Sequence, residues 1–187
     1  MIIGAQGRRA KKMRFAVIAV FVAFGGLMVT AGQVPPEGKL LTQLKQLFPS
    51  ATAFSPKEGQ PPHFTAYVND ARSGARTPAG YVFWTTELEP LERAYDGPIK
   101  ILVGMDMKGI LAGIIVVDHH EPYGNFSIEP PAFAAQFKGK NIRDAFKVGA
   151  DIDAVSRASI SITSATRAVR NSARRIARQL LTAETTK

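Results

Sequence analysis

Apolar residues fall into a few separated runs, and their periods predict the elements. Leu40, Leu41, Leu44, Leu47 and Phe48 recur at three- and four-residue steps, which predicts a short amphipathic helix over Lys39–Phe48, ended by Pro49. The stretch from Ser50 to Gly80 is rich in Pro, Gly and polar residues, with a strand predicted inside it over His63–Val68. Gly80–Thr86 holds Tyr81, Val82, Phe83, Trp84 and two threonines, all strand formers. Glu87–Gly97 carries acids between prolines and reads as a loop. Ile99–Met105 and Ile110–Val117 are apolar runs joined by Asp106-Met107-Lys108-Gly109, a hairpin signal with Gly in the turn. Ile110–Val117 lacks polar alternation, so it is expected to be a central strand covered on both faces.

Phe126–Lys138 reads as loop followed by a short helix. Near the C-terminus, Val169, Ala173, Ile176 and Leu180 mark the buried stripe of a helix that Ser164 is expected to cap and that runs to about Leu181. Five arginines of this helix mostly lie off the stripe. The expected fold class is α+β: a small, mostly antiparallel sheet with packed helices, preceded by an N-terminal signal or anchor helix.

That last element rests on Phe15–Gly32, an uncharged apolar run preceded by Arg8, Arg9, Lys11, Lys12 and Arg14. At about 18 residues it lies between a signal-peptide core and a spanning helix. The one-sided basic flank predicts a cytoplasmic N-terminus and a periplasmic remainder, with Val29-Thr30-Ala31 as a possible cleavage site. The expected division is 1–33 signal peptide or membrane anchor, 34–74 helix and linker, and 75–187 the functional domain.

Composition narrows the chemistry. The formal net charge is +9, but removing the five flanking cations from 24 basic residues leaves 19 against 15 acids. No basic patch interleaved with aromatics appears, so nucleic-acid binding is not expected. The chain has no cysteine, which excludes disulfides, thiolate metal sites and cysteine-ligated clusters. His119 and His120 are adjacent, and on a strand they point to opposite faces, which argues against a shared metal. Trp84 reads as core. A hydrolase nucleophile is set aside, because no Gly-x-Ser-x-Gly elbow surrounds Ser156 or Ser159.

Asp153-Ala154-Val155-Ser156-Arg157-Ala158-Ser159 places two hydroxyls, an acid and small residues just before the arginine-rich helix. Read alone, it suits helix capping or close approach of a phosphate. It also resembles the flavin-attachment motif Asp-x-x-Ser/Thr-Gly-Ala-Thr/Ser of the FMN-binding domains in NosR-, RnfG- and NqrC-type proteins. Gly80-Tyr81-Val82-Phe83, the hairpin and the His119-His120-Glu121-Pro122 corner occur in the order of the NosR-type flavin domain. Arg157 stands where the motif has Gly, and Glu121-Pro122-Tyr123-Gly124 where many members have Glu-Thr-Pro-Gly.

The resemblance implies FMN joined by a phosphoester to Ser159, with Ser156, Ala158, Asp153 and Arg157 forming the attachment loop. It implies that the ring system lies near Glu121, His120 and Tyr81. A separate FMN transferase, using FAD and Mg²⁺, would attach the flavin. The chain would then transfer electrons between a membrane or quinol-linked donor and a periplasmic acceptor, with nitrous oxide reductase or its maturation as the system served. The alternative is a membrane-tethered assembly or binding module that has lost its flavin.

Overall fold

The computed structural model describes Met1 and residues 35–181; the expected signal or anchor segment lies outside the described residues. Among the described residues no helix is long and apolar enough to cross a membrane. The described residues from 35 to 181 belong to one compact unit, so the first helix and strands share a unit with the later elements.

Helix α1 (Gly38–Leu47) opens the described chain, followed by β1 (Ala53–Phe54), β2 (Phe64–Asn69) and β3 (Arg76–Trp84). A single helical turn, α2 (Thr85–Leu88), leads through a loop to the hairpin of β4 (Lys100–Asp106) and β5 (Leu111–Asp118). Two short helices, α3 (Gly124–Ser127) and α4 (Pro131–Ala135), precede the long α5 (Ser159–Ile176), which ends in a π-helical turn, Ala177–Leu181. The five strands form one antiparallel meander in the order β1-β2-β3-β4-β5. The fold is thus α+β, as the sequence predicts.

Side chains alternate across the sheet and build two cores. Val82, Trp84 and Leu102 face α1, joining Leu44, Leu47, Phe48, Phe54 and Phe64. Trp84 is buried there, with the Lys100 ammonium 4.7 Å from its ring centroid. On the opposite face Tyr81, Phe83, Ile101, Val103 and Met105 meet Ile162, Ala165, Val169, Ala173 and Ile176 of α5. Those α5 positions recur at three- and four-residue steps, so the apolar period of the sequence is the contact surface itself. Gly80 explains how closely α1 lies on the sheet: a Cβ there would sit 2.6 Å from Phe48 Cζ and 2.4 Å from the Met105 carbonyl.

The hairpin turn forms where the sequence places it. Asp106 Oδ1 accepts the N–H groups of Lys108 and Ile110, each at 2.8 Å, and Gly109 takes φ +78°. The expectation of a central Ile110–Val117 is overturned, because β5 is an edge strand and β3 and β4 lie inside the sheet. Both faces of β5 are nonetheless covered, by α1 on one side and α4 on the other. Its free edge is closed in part by the chain after α4. Leu111 N–H donates to the Lys140 carbonyl and Gly139 N–H to the Leu111 carbonyl, each at 2.8 Å. An unalternating apolar strand reports burial of two faces, and a covered edge meets that condition.

Three further boundaries differ from the sequence reading. β3 begins at Arg76, and Thr85 and Thr86 belong to α2. The polar stretch before β3 contributes β1 as well as β2. Helix α5 starts at Ser159 rather than after Ser164, which is buried in its second turn. A run of Ser, Thr and Ile has weak helix propensity, and burial of Ile162 and Ala165 against the sheet overrides it.

Candidate functional site

The loop before α5 delivers Ser159 to the first position of the helix. Arg157 has φ +68°, the left-handed region in which a non-glycine residue is uncommon. Ala158 follows as the N-cap, buried at 2% exposure, its N–H bonded to the Val155 carbonyl at 3.1 Å. The first bond along the helix runs from Ile162 N–H to the Ala158 carbonyl, 3.0 Å. The N–H groups of Ser159, Ile160 and Ser161 therefore precede the intrahelical ladder, and no side chain caps the helix. Ser159 itself is exposed, as are Arg157, Ser156 and Asp153. A left-handed residue, a buried alanine and an exposed hydroxyl at an uncapped N-terminus explain Gly-Ala-Thr/Ser as a backbone requirement. Arg157 adopts the conformation that the glycine of the motif would make easy.

Facing Ser159 is a cleft of about 520 Å³, lined by Tyr95, Pro122, Tyr123, Arg157, Ala158 and the first turn of α5. Three of its walls are large apolar side chains left open to solvent: Tyr95 at 70%, Tyr123 at 44% and Ile160 at 58% exposure. Phe126 stacks beside Tyr123 with ring centroids 5.4 Å apart and is itself half exposed. Such residues clustered around one cleft mark a surface that accepts a flat apolar partner.

Glu121 ties the parts of this cleft together. Its carboxylate is buried and accepts the Ser161 hydroxyl in a short hydrogen bond, the Asp96 N–H at 2.9 Å and the Tyr95 N–H at 3.3 Å. The loop carrying Tyr95 and the helix carrying Ser159 are thereby held on one carboxylate. The Glu121 N–H in turn donates to His119 Nδ1 at 3.1 Å, which leaves the ring hydrogen on Nε2, 3.0 Å from Glu129 Oε1. His119 packs onto Gly124, where a Cβ would lie 2.1 Å from its Cε1, so the corner requires a glycine.

The predicted site residues are therefore distributed unevenly. Ser159, Ala158 and Arg157 line the cleft, and Glu121 braces it from beneath. Ser156 and Asp153 stay exposed on the approach, with Asp153 N–H donating to Gln136 Oε1 at 2.7 Å. His120 is exposed and outside the cleft lining. Tyr81 is buried in the core, edge-on to His63 at 5.0 Å between centroids, rather than lining the cleft. Tyr95, Tyr123, Ile160 and Ser161 line the cleft and are the residues that sequence reasoning missed. Ser-x-Ser opening a helix and a tyrosine between Pro90 and Pro98 were the available signals, and neither is specific.

Residues 94–174 match the family model of the FMN-binding domain. The matched range begins at the Tyr95 loop and takes in the hairpin, the Glu121 corner and most of α5. No curated protein matches the chain. Over residues 94–174 the chain thus matches the FMN-binding domain family that its motifs resemble.

Proposed function

We propose that the chain is an exported electron-transfer flavoprotein that carries FMN as a phosphoester on Ser159 Oγ. One observation carries the reading: the exposed Ser159 hydroxyl stands at an uncapped helix N-terminus beside an open aromatic cleft. The residues present fit the group. The N–H groups of the first turn and the Arg157 guanidinium suit the remaining phosphate charge. Ala158 permits close approach, while Tyr95, Tyr123 and Ile160 offer apolar walls to the ring system. When bound, the flavin supplies the electron transfer; the chain holds it and sets its surroundings.

Attachment would be carried out by an FMN transferase from FAD with Mg²⁺. In that step the Ser159 hydroxyl would give its proton to a base of the transferase or to solvent as its oxygen bonds to the FMN phosphorus, the pyrophosphate bond breaks, and AMP leaves. Asp153, exposed and six residues before Ser159, is suited to orienting the hydroxyl or the metal at that step. Export is supported by the basic flank and apolar run at the N-terminus. Likeness to the NosR-type flavin domain supports a membrane or quinol-linked donor and service to nitrous oxide reductase or its maturation.

The test is co-expression with an FMN transferase, followed by a visible spectrum and a denatured mass spectrum. One added FMN phosphoester on the parent is expected, and none on Ser159→Ala. A parent that never acquires flavin overturns the reading and favours the non-redox binding module.

A further inference from the structure

A second feature lies beyond the flavin cleft, along α5. Residues 141–148 run beside the helix and leave two adjoining hollows against it. The first, about 530 Å³, is lined by Lys147, Thr163, Thr166, Arg167 and Arg170 among others. The second, about 730 Å³, is lined by Lys108, Arg143, Arg174 and Arg178 together with Met107, Ile142 and Leu181. Arg170, Arg174 and Arg178 are spaced at i, i+4 and i+8, so they form one row about 12 Å long.

The nearby acids are committed elsewhere. Asp106 accepts the hairpin N–H groups, Asp144 the Asn141 N–H at 2.9 Å, and Asp151 the Phe146 N–H at 2.9 Å and the Lys147 N–H. Asp151 also pairs with Lys140 at 3.7 Å, and Glu92 holds Arg167 at 2.7 Å. No ion pair among the described residues involves Lys108, Arg143, Lys147, Arg170, Arg174 or Arg178. Arg174, in the middle of the row, is fixed in place by the Ile142 and Asp144 carbonyls, each at 2.8 Å, which orders it without neutralising its charge.

One feature of its construction points to a ligand. The second hollow is built partly from the π-helical turn that supplies Ala177, Arg178 and Leu181, and π turns recur at functional sites.

We propose that this groove docks an acidic segment of a partner polypeptide, its carboxylates taken by the Arg170–Arg174–Arg178 row and its apolar side chains by Met107, Ile142 and Leu181. Charge complementarity selects the occupant. A membrane surface fits less well, because the most exposed large apolar residues lie outside the groove: Leu91, Tyr95, Tyr123, Phe126 and Ile160 line neither hollow. Single-stranded nucleic acid fits less well, because the one aromatic in the lining of the two hollows, Phe146, is buried and offers its bases no stacking platform.

The test uses the full-length chain in neutral detergent and a fluorescein-labelled peptide of alternating glutamate and alanine, read by anisotropy. Binding is expected at low salt and should weaken as salt rises. Arg170→Gln with Arg178→Gln should weaken it roughly tenfold, while Arg72→Gln, on the β2–β3 turn, should leave it unchanged. Lys108→Gln with Lys147→Gln serves as a second pair should the first fail to fold, with the same expectation. Binding should survive in Ser159→Ala, which separates this surface from the flavin site. Equal loss in Arg72→Gln overturns the proposal. So does binding of phosphatidylglycerol vesicles or a single-stranded oligonucleotide, but not the peptide, through these arginines.

Discussion

Glu121, in the turn after β5, accepts the hydroxyl of Ser161, forty positions later in the first turn of α5. That bond brings the corner, the Tyr95 loop and the helix start to one point. It also explains how a carboxylate can be buried beneath the cleft. The Glu121 charge is spent on Ser161 and two backbone N–H groups, directed away from solvent.

The coupling between these residues is measurable. Glu121→Ala strands two backbone N–H groups and the Ser161 hydroxyl, so a loss of about 2–4 kcal/mol is expected. Ser161→Ala should cost less, about 1–2 kcal/mol, since the carboxylate keeps two donors. A double-mutant cycle by denaturant unfolding should give a coupling of about 1–2 kcal/mol. A coupling near zero would mean the bond contributes nothing to the folded state.

Arg157 is expected to cost stability through its backbone alone. At φ +68° a residue with a Cβ is disfavoured by roughly 1 kcal/mol relative to glycine. Arg157→Gly should therefore melt higher than Arg157→Ala, by several degrees for a domain of this size. The comparison removes the arginine charge from both variants, leaving only conformation. A glycine variant that melts at or below the alanine variant would show that the loop relaxes out of this conformation.

The edge position of β5 has its own consequence. Leu102 is fully buried in β4, with paired strands on both sides, whereas Ile115 is partly buried in β5. Leu102→Ala should cost about 3–4 kcal/mol and Ile115→Ala about 1–2 kcal/mol, measured by chemical denaturation. Equal losses would place β5 as deep in the fold as β4.

These contrasts show what the sequence could and could not tell. Local signals were legible. The hairpin turn followed from Asp106 and Gly109, and the α5 stripe from the spacing of Val169, Ala173 and Ile176. The loop leading into α5 lies where Asp153 to Ser159 place small and polar residues. Strand order was not legible, because Ile110–Val117 reports that both faces are covered and is silent about which neighbours do so. Helix α5 began earlier than propensity suggested, since Glu121 and the core hold residues that would otherwise favour a cap. Tyr81 was singled out because it belongs to a motif, and its alternation with Val82 buries it in the core, away from the cleft lining. Tyr95 and Tyr123 come from separate loops, and only folding brings them together.

The turn between β2 and β3 predicts a pH effect. The Asp70 carboxyl is held below its ordinary value of 3.8 by the Ser73 N–H, then the Ser73 hydroxyl and the Arg72 N–H. A depressed folded pKa contributes stability above the ordinary value and loses it as pH falls through the folded value. Asp70→Asn should therefore melt below the parent near neutral pH. The gap should close once the solution is more acidic than the folded pKa. A gap that persists unchanged in acid would assign the effect to shape rather than charge.

The proposed attachment residue, Ser159, has one sequence competitor, Thr166, and the two differ in burial. Thr163-Ser164-Ala165-Thr166 imitates the second half of the motif, but residue 160, where the acid would stand, is Ile. Thr166 lies two turns into α5, 2% exposed, where the backbone N–H groups are already bonded along the helix. Its hydroxyl has no partner, so replacing it with the isosteric methyl should relieve a buried unsatisfied group. Thr166→Val is expected to raise stability by about 1 kcal/mol and to leave covalent FMN loading intact. Ser159 is exposed at the helix start, and its side chain makes no hydrogen bond among the described residues. Ser159→Ala should leave the melting of flavin-free protein nearly unchanged and abolish the added mass after co-expression with the transferase. Paired melting curves and denatured mass spectra decide between them. Added mass on Ser159→Ala that disappears in Thr166→Val would move the attachment site into the helix, against the burial seen there.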